Sequence, residues 1–119
     1  MGNLIRWVEI PTKNFERALK FYNQVFKLDL KGTDYGHEKM ACFPNDEGAI
    51  VFSPGHNPSS QGPIISFNCN ENIDLALKNV VDNGGRILTE KTKIDAEGRG
   101  YFALFFDSED NKIGLYSDN

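Results

Sequence analysis

The chain has 119 residues, the size of one domain, and 39% of them are hydrophobic, including nine Phe, four Tyr and one Trp. Its net charge is −4, and no dense run of Lys or Arg is available to follow a phosphate backbone, which argues against nucleic acid as a partner. No apolar run approaches the ~20 residues of a membrane span, and no apolar signal segment begins the sequence. We therefore expect a cytoplasmic protein that makes no membrane contact.

The first half of the chain predicts one helix among four strands. A strand is expected at residues 4–10, and Asn14 is placed to cap a helix that begins at Phe15, whose apolar residues recur at three- and four-residue spacing. Further strands are predicted at residues 28–32, 39–43 and 49–53. A stretch rich in Pro, Gly, Ser and Asn follows at residues 54–62, which we expect to be a linker.

The second half predicts the same order of elements. A strand at residues 64–69 precedes a helix at 73–82, and Gly84 stands where a left-handed cap is expected. Three strands follow, at residues 86–90, 101–106 and 112–117. The repeated order predicts a single α+β domain over residues 1–119, built from two βαβββ modules at about 4–53 and about 63–117. Their sheets are expected to curve around a shared cup.

The cysteines and histidines give no metal-binding motif. Cys42 and Cys69 each fall in a predicted strand, so we expect two buried, reduced thiols. His37 and His56 each follow a Gly in a predicted loop, where solvent exposure is expected. The loop around His56 could also form a flap over the cup.

Three segments carry a resemblance to a known family. They are Trp7-Val8-Glu9-Ile10-Pro11 with the helix from Phe15 to Phe26, the second helix with Asn83-Gly84-Gly85, and residues 106–115. Together they resemble the vicinal oxygen chelate superfamily, which includes glyoxalases, extradiol dioxygenases, fosfomycin-resistance enzymes and bleomycin-resistance proteins. The resemblance implies paired βαβββ modules with helices on the outer face, and often a homodimer. In the metal-dependent members it implies a divalent ion held by His, Glu or Gln from the first and last strands of each module.

This sequence departs from that ligand pattern. Alignment on the helices places the four ligand positions at Trp7, Phe52, Ile64 (or Pro63, one residue away) and Gly114. None of these side chains ligates a divalent metal. A slip of two residues on the first strand keeps the same face and introduces Glu9. We therefore expect no cofactor and no metal ligands, with a divalent metal as the alternative if the alignment is wrong.

Strand alternation places Trp7 and Glu9 on the cup side of the first strand. Trp7 is either an aromatic wall of the cup or a core side chain that fills the metal position. Glu9 is the candidate catalytic residue, because a carboxylate inside an apolar cup would have a raised pKa suited to acid–base work. The alternative is a structural pairing of Glu9 with a nearby Lys, Arg or Tyr.

Further side chains are candidates for the lining of the cup. Aromatic walls with a few hydroxyl or amide groups suit a small, partly apolar ligand. The candidates are Phe52, Ser66, Asn68, Tyr101 and Tyr116. Filling of the core is the alternative for Phe52, and the start of a strand is the alternative for Tyr101.

The sequence leaves three functions open. The first is a metal-free cup that sequesters or senses a small organic molecule. The second is a lyase or isomerase of the glyoxalase-like group, with Glu9 as the acid or base. The third is a subunit whose main role is assembly with a partner. The fold alone does not decide among them.

Overall fold

A computed structural model describes residues 2–70 and 72–119. The first module contains β1 (Val8–Pro11), α1 (Phe15–Phe26), β2 (Thr33–Asp34), β3 (Lys39–Cys42) and β4 (Gly48–Phe52). The second contains β5 (Ile65–Asn68), α2 (Ile73–Asp82), β6 (Arg86–Lys93), β7 (Tyr101–Phe106) and β8 (Lys112–Ser117). Each module forms a four-stranded sheet, ordered β1-β4-β3-β2 and β5-β8-β7-β6. The predicted α+β fold of two βαβββ modules is confirmed.

The predicted caps at Asn14 and Gly84 are confirmed, and a second asparagine, Asn72, caps the start of α2. Asn14 and Asn72 accept hydrogen bonds through Oδ1 from the backbone N–H groups of Arg17 and Leu75, each at 3.0 Å. These bonds satisfy helix N–H groups that have no partner within the helix. Gly84 has a φ of +96° just beyond α2, the left-handed conformation that glycine adopts at low cost.

Several predicted strands differ from the structure in their bounds, and β6 ends at Lys93 rather than at residue 90. The prediction of a strand at residues 28–32 is wrong, because β2 is a two-residue strand that begins at Thr33. Asn23 binds the N–H and C=O of Leu30 at 2.8 and 3.3 Å, and these bonds occupy groups that a strand would use for pairing. The first strand begins at Val8 rather than at residue 4, and Leu4 is 98% exposed.

Strand register assigns each side chain to one of two faces. Ile10 pairs with Ile50, and Ile50 with Ala41, and all three are buried against the helices. In the second sheet Ile113 and Leu115 take the same side. We call this side the helix face, and we call the opposite side the open face. On the open face Glu9 pairs with Ala49, and Ser66 pairs with Gly114.

One hydrophobic core joins the two modules. Phe21 of α1 lies 6.1 Å, between ring centroids, from Phe105 of β7, and Tyr22 lies 6.0 Å from Phe67 of β5. The first helix therefore packs on the second sheet as well as on its own. Because α1 follows β1 directly, this packing brings the edge strand β1 towards β5, the edge strand of the second sheet.

A buried polar cluster in the β7–β8 turn fixes the start of α1. The side chain of Glu109 has no exposed surface, and it accepts hydrogen bonds from the backbone N–H groups of Lys13 and Asn14 at 2.9 and 2.7 Å. Arg17 donates two more, from Nε at 2.7 Å and from Nη2 at 3.0 Å. A carboxylate at a helix N-terminus is favourable for the helix dipole as well. The second module therefore caps the helix of the first.

The structure bears on the expected burial of the cysteines and on the expected absence of a membrane span. The expected burial of Cys42 is wrong, because the residue is exposed, and Cys69 is partly exposed. Cys42 lies beside Ala49 on the open face. Within residues 2–70 and 72–119, no helix is long and apolar enough to cross a membrane.

Candidate functional site

A cleft of about 530 Å³ lies where the edge strands β1 and β5 meet. Trp7, Glu9 and Pro11 line it from the first module, and Ile64 and Lys112 line it from the second. Residues of the linker, among them His56, form a further wall. The cleft is within the ~300–1,000 Å³ range of small-molecule sites, and hydrophobic side chains make up most of its lining.

Trp7 and Glu9 form one unit at the cleft. The indole Nε1–H of Trp7 donates a hydrogen bond of 3.1 Å to Oε2 of Glu9. Trp7 remains 39% exposed, which is unusual for so large an apolar side chain, and its ring borders the cleft. The bond leaves Oε1 of Glu9 able to accept from another donor.

Asn111 joins three segments at one end of the cleft. Its Nδ2 donates to the carbonyl oxygen of Pro11 at 2.9 Å and to Asp107 at 3.0 Å, and its Oδ1 accepts from the N–H of Ser59 at 3.1 Å. Pro11 belongs to β1, and Ser59 belongs to the linker. Asn111 therefore holds the first strand and the linker against the second module.

Three of the predicted lining residues of the second module share the open face. Ser66, Asn68 and Tyr116 all lie there, together with Gly114. A Cβ atom on Gly114 would collide with Oγ of Ser66, so the serine hydroxyl lies directly over the glycine. The phenol oxygen of Tyr116 accepts a bond of 3.1 Å from the N–H of Gly100. Their roles in binding a ligand stay predictions.

The predicted positions of Phe52 and Tyr101 in the cup are wrong. Phe52 follows Ile50 by two residues, and Tyr101 precedes Ala103 by two, so both share the helix face with buried neighbours. Both side chains pack against the hydrophobic core. The open-face residues of β4 are Ala49 and Val51, so the second ligand position of the family falls there rather than on Phe52.

The predicted burial of Glu9 is also wrong. The residue is exposed in the single chain, because its neighbour on β4 is the small Ala49 and β5 leaves the cleft open on the other side. A general base inside a desolvated cup is therefore not what this chain presents. One carboxylate oxygen of Glu9 is held by the indole N–H of Trp7, and the residue lines the cleft.

Lys112 and His56 both line the cleft. For His56 the sequence allows a flap over the cup beside an exposed loop, whereas Lys112 is not among the predicted lining residues. Lys112 begins β8 on the same face as Gly114, and its open-face position follows from strand parity once β8 is known. His56 is exposed, as a loop position predicts, and it borders the cleft. No short-range pattern in the sequence brings the linker to β1.

The residues of this site do not fit the metal of the family. The open-face residues of β1, β4, β5 and β8 are all described, and Glu9 alone among them carries a carboxylate or an imidazole. Across residues 2–70 and 72–119, no three His, Cys, Asp or Glu side chains are grouped to hold a metal ion. A divalent ion requires several such ligands, so we derive no step through a metal.

The polar cluster behind the cleft contains ionisable groups whose pKa values are shifted. Burial raises the pKa of Asp107, and hydrogen bonds from Tyr22 and Asn111 partly offset this. Burial would raise the pKa of Glu109 too, but the bonds from Arg17 and from Asn14 outweigh it and hold that pKa below its usual value. Burial, then the charge of Asp107, raises the pKa of Tyr22 well above 10.0. These groups hold the modules together and do not line the open face.

The fold and the sequence together define the class of protein. Residues 4–115 match the family model of the Glyoxalase/Bleomycin resistance protein/Dioxygenase superfamily. The chain belongs to this superfamily, as the resemblance implied. No curated protein matches the chain in sequence.

Several solved structures share the fold. Glyoxalase I from Zea mays superposes with a TM-score of 0.70 at 19% identity, over 95% of this chain and 45% of the maize chain. This chain thus spans less than half the length of the maize enzyme. A glyoxalase/bleomycin resistance protein from Albidiferax ferrireducens T118 gives 0.70 at 20% identity, covering 97% and 99% of the two chains. The fosfomycin resistance protein FosX from Listeria monocytogenes gives 0.67 at 15% identity, covering 100% and 93%. At these identities the likeness establishes the fold.

Proposed function

We propose that this chain is a binding protein for a small, partly apolar organic molecule, which enters the cleft between β1 and β5 without the help of a metal. The observation that carries the proposal is the Trp7–Glu9 pair, which presents an aromatic ring and a carboxylate oxygen to a cleft of about 530 Å³. Apolar walls with a few oriented polar groups are typical of small-molecule sites.

The polar groups of the cleft define the ligand further. Glu9 offers a hydrogen-bond acceptor with a negative charge, and the ring of Trp7 beside it attracts cations through its face. Lys112, on the second module, offers a positive charge. A ligand with a donor or cationic group near an apolar ring, and an acceptor further along, would satisfy all three.

We propose further that the protein is cytoplasmic and acts as a homodimer. Leu4 and Ile5 are 98% and 68% exposed, and Ile5 lines the cleft. Apolar side chains of this size seldom remain bare next to a binding site. A second copy covering them would make the cleft deeper and drier.

A ligand screen with two readouts tests the proposal. Compounds that bind only the folded state raise the melting temperature, and Trp7, as the only Trp of the chain, reports by its fluorescence whether they bind at this cleft. We expect stabilising compounds to change the Trp7 emission. Stabilising compounds that leave this emission unchanged would place binding elsewhere and overturn the proposal.

For a compound found in this way, replacing Glu9 by Gln is expected to weaken binding about 10- to 100-fold. Hydrogen bonds to charged groups contribute roughly 1.5–3 kcal/mol, and about 1.4 kcal/mol corresponds to a factor of ten. Titration calorimetry measures the change. The matched control is Glu90→Gln, on the exposed strand β6 outside the cleft, which should bind like the wild type. Equal affinities in all three proteins would remove Glu9 from the site.

A further inference from the structure

A second cleft opens between the modules at the far end of the β1–β5 junction. Its volume is about 410 Å³. Phe26 of α1, Phe43 after β3 and Phe67 of β5 line it, and we call it the phenylalanine pocket. Val8, at the start of β1, and Ile65, at the start of β5, line both clefts, whereas Phe67 and Asn68, at the end of β5, line this pocket and not the Trp7 cleft.

The aromatic rings of this pocket form a continuous wall. The ring centroids of Phe26 and Phe67 are 4.6 Å apart, and those of Phe43 and Phe67 are 5.4 Å apart, which are contact distances for aromatic pairs. Leu28, Val8 and Ile65 extend the apolar surface. An apolar cavity of ~150 Å³ already holds a benzene molecule, so this pocket has room for a substituted ring.

The rim of the pocket supplies hydrogen-bonding groups and a negative charge. Asn45, Ser66 and Asn68 contribute amides and a hydroxyl, and Glu47 contributes a carboxylate. Uncharged rings with one hydroxyl can therefore pair with the rim, whereas an anion would meet Glu47. The chemistry favours a neutral phenolic compound over an aromatic acid.

The backbone at this rim is strained. Asn45 and the next residue, Asp46, have φ values of +63° and +55°, the left-handed conformation that side chains other than glycine adopt at a cost. Strain of this kind persists where the surrounding structure holds it, and it concentrates at ligand sites. Asn45 itself lines the pocket.

We propose that the phenylalanine pocket is a second binding site, for a small neutral aromatic molecule that carries one hydroxyl group. The apolar wall of Phe26, Phe43 and Phe67 would take the ring, and the amides of Asn45 and Asn68 would take the hydroxyl. The two clefts share Val8 and Ile65, but the three phenylalanines and both asparagines line this pocket and not the Trp7 cleft, so each site can be tested by variants of its own.

Phenol is the probe that tests the proposal, followed by two-dimensional NMR of the backbone amides. We expect saturable shifts centred on Phe26, Phe43 and Phe67, with the indole N–H of Trp7 unchanged. Benzoate, which has the same ring but a negative charge, is expected to bind at least several-fold more weakly. Shifts that do not saturate, that centre on Trp7, or that are equal for the two compounds would overturn the proposal.

Substitutions make the test specific. Leu28→Trp is designed to fill the pocket and should abolish saturable phenol binding, whereas the control Trp7→Phe, in the other cleft, should leave it unchanged. If Leu28→Trp does not fold, Phe26→Ala removes one wall from the end of α1 and should weaken phenol binding instead. A folded Leu28→Trp or Phe26→Ala protein that binds phenol as the wild type does would contradict the assignment.

Discussion

Replacing Glu109 with Ala is expected to lower the free energy of unfolding by about 3 kcal/mol, a large loss for the removal of one polar side chain. The carboxylate is fully buried and accepts bonds from Arg17 and from two backbone N–H groups at the start of α1. Breaking a buried pair of this kind costs ~3–5 kcal/mol, and the value for Glu109 is at the lower end because half of the Arg17 side chain reaches water.

Urea unfolding of the variant measures this loss. The matched control is Asp110→Asn, the next residue in the turn, whose ion pair with Arg86 is largely exposed and contributes little. Its change should be within about 0.5 kcal/mol. If Glu109→Ala lost no more than Asp110→Asn does, the β7–β8 turn would not be what holds α1 to the second module.

Replacing Tyr22 with Phe is expected to cost about 1–3 kcal/mol near neutral pH and to remove a loss of stability in alkali. The hydroxyl donates a 2.6 Å hydrogen bond to Oδ2 of Asp107, whose carboxylate is buried and would lose that donor. The ring itself stays, so its packing against Phe21 and Phe67 is preserved.

The alkaline effect follows from the raised pKa of Tyr22. Above about pH 10 the unfolded chain releases the phenol proton while the folded chain keeps it, so wild-type stability falls as the pH rises. The advantage of the wild type over Tyr22→Phe should therefore shrink by about 1.4 kcal/mol per pH unit above that value. Urea unfolding of both proteins from pH 7 to 11 measures the difference. Parallel profiles would mean that Tyr22 is not buried as the structure has it.

The two carboxylates of the cluster respond to acid in opposite directions. Glu109 has a lowered pKa, so its contribution to stability is present above its unfolded value of 4.5 and is lost as the pH falls. Asp107 has a raised pKa, so its ionisation costs stability as the pH rises above 3.8. As the pH falls, the free energy of unfolding therefore loses the contribution of Glu109 and regains the cost of ionising Asp107, and the two changes partly cancel.

Local sequence signals suffice to predict the bounds of helices and strands that are set by caps and turns within a few residues of their ends. The sequence predicts the helix at Ile73–Asp82 with the bounds that the structure has, and Gly84 follows it in the predicted left-handed conformation. The predicted bounds of the strands at Tyr101–Phe106 and Lys112–Ser117 are also confirmed, since a polar turn separates two apolar runs.

The faces of buried strands are harder to predict. The run Gly48–Phe52 is apolar at almost every position, so it contains no alternation that would show which side faces the helices. Only the pairing of Ile10 with Ile50 assigns Phe52 to the helix face. By contrast, Ser66 and Asn68 alternate with apolar neighbours, and this alternation predicts the face that they share.

The polar cluster between the modules is beyond sequence analysis altogether. The sequence predicts only a turn at residues 107–111. A turn with several acidic residues is usually solvated, so this one gives no sign that Glu109 is buried. Glu109 and Arg17 are 92 positions apart, and their contact depends on how the second sheet packs on α1. The linker reaches the Trp7 cleft for the same reason, through the bond between Ser59 and Asn111.

The proposed function rests on the residues that this chain has at the ligand positions of the family. Glu9 lies on β1 and Trp7 directly precedes that strand, while Ala49, Val51 and Gly114 occupy open-face positions of β4 and β8. An aromatic side chain and small residues leave space for a ligand above the sheet. The proposed function therefore uses the fold for binding rather than for Lewis-acid chemistry.

The metal response of the purified protein tests this central claim most directly. Metal content would be determined, and thermal melts recorded with and without nickel, zinc, manganese and magnesium. We expect no stoichiometric metal and no upward shift in melting temperature with any of the four ions. Near-stoichiometric metal with a clear upward shift that Glu9→Gln abolishes would contradict the account and make Glu9 a metal ligand.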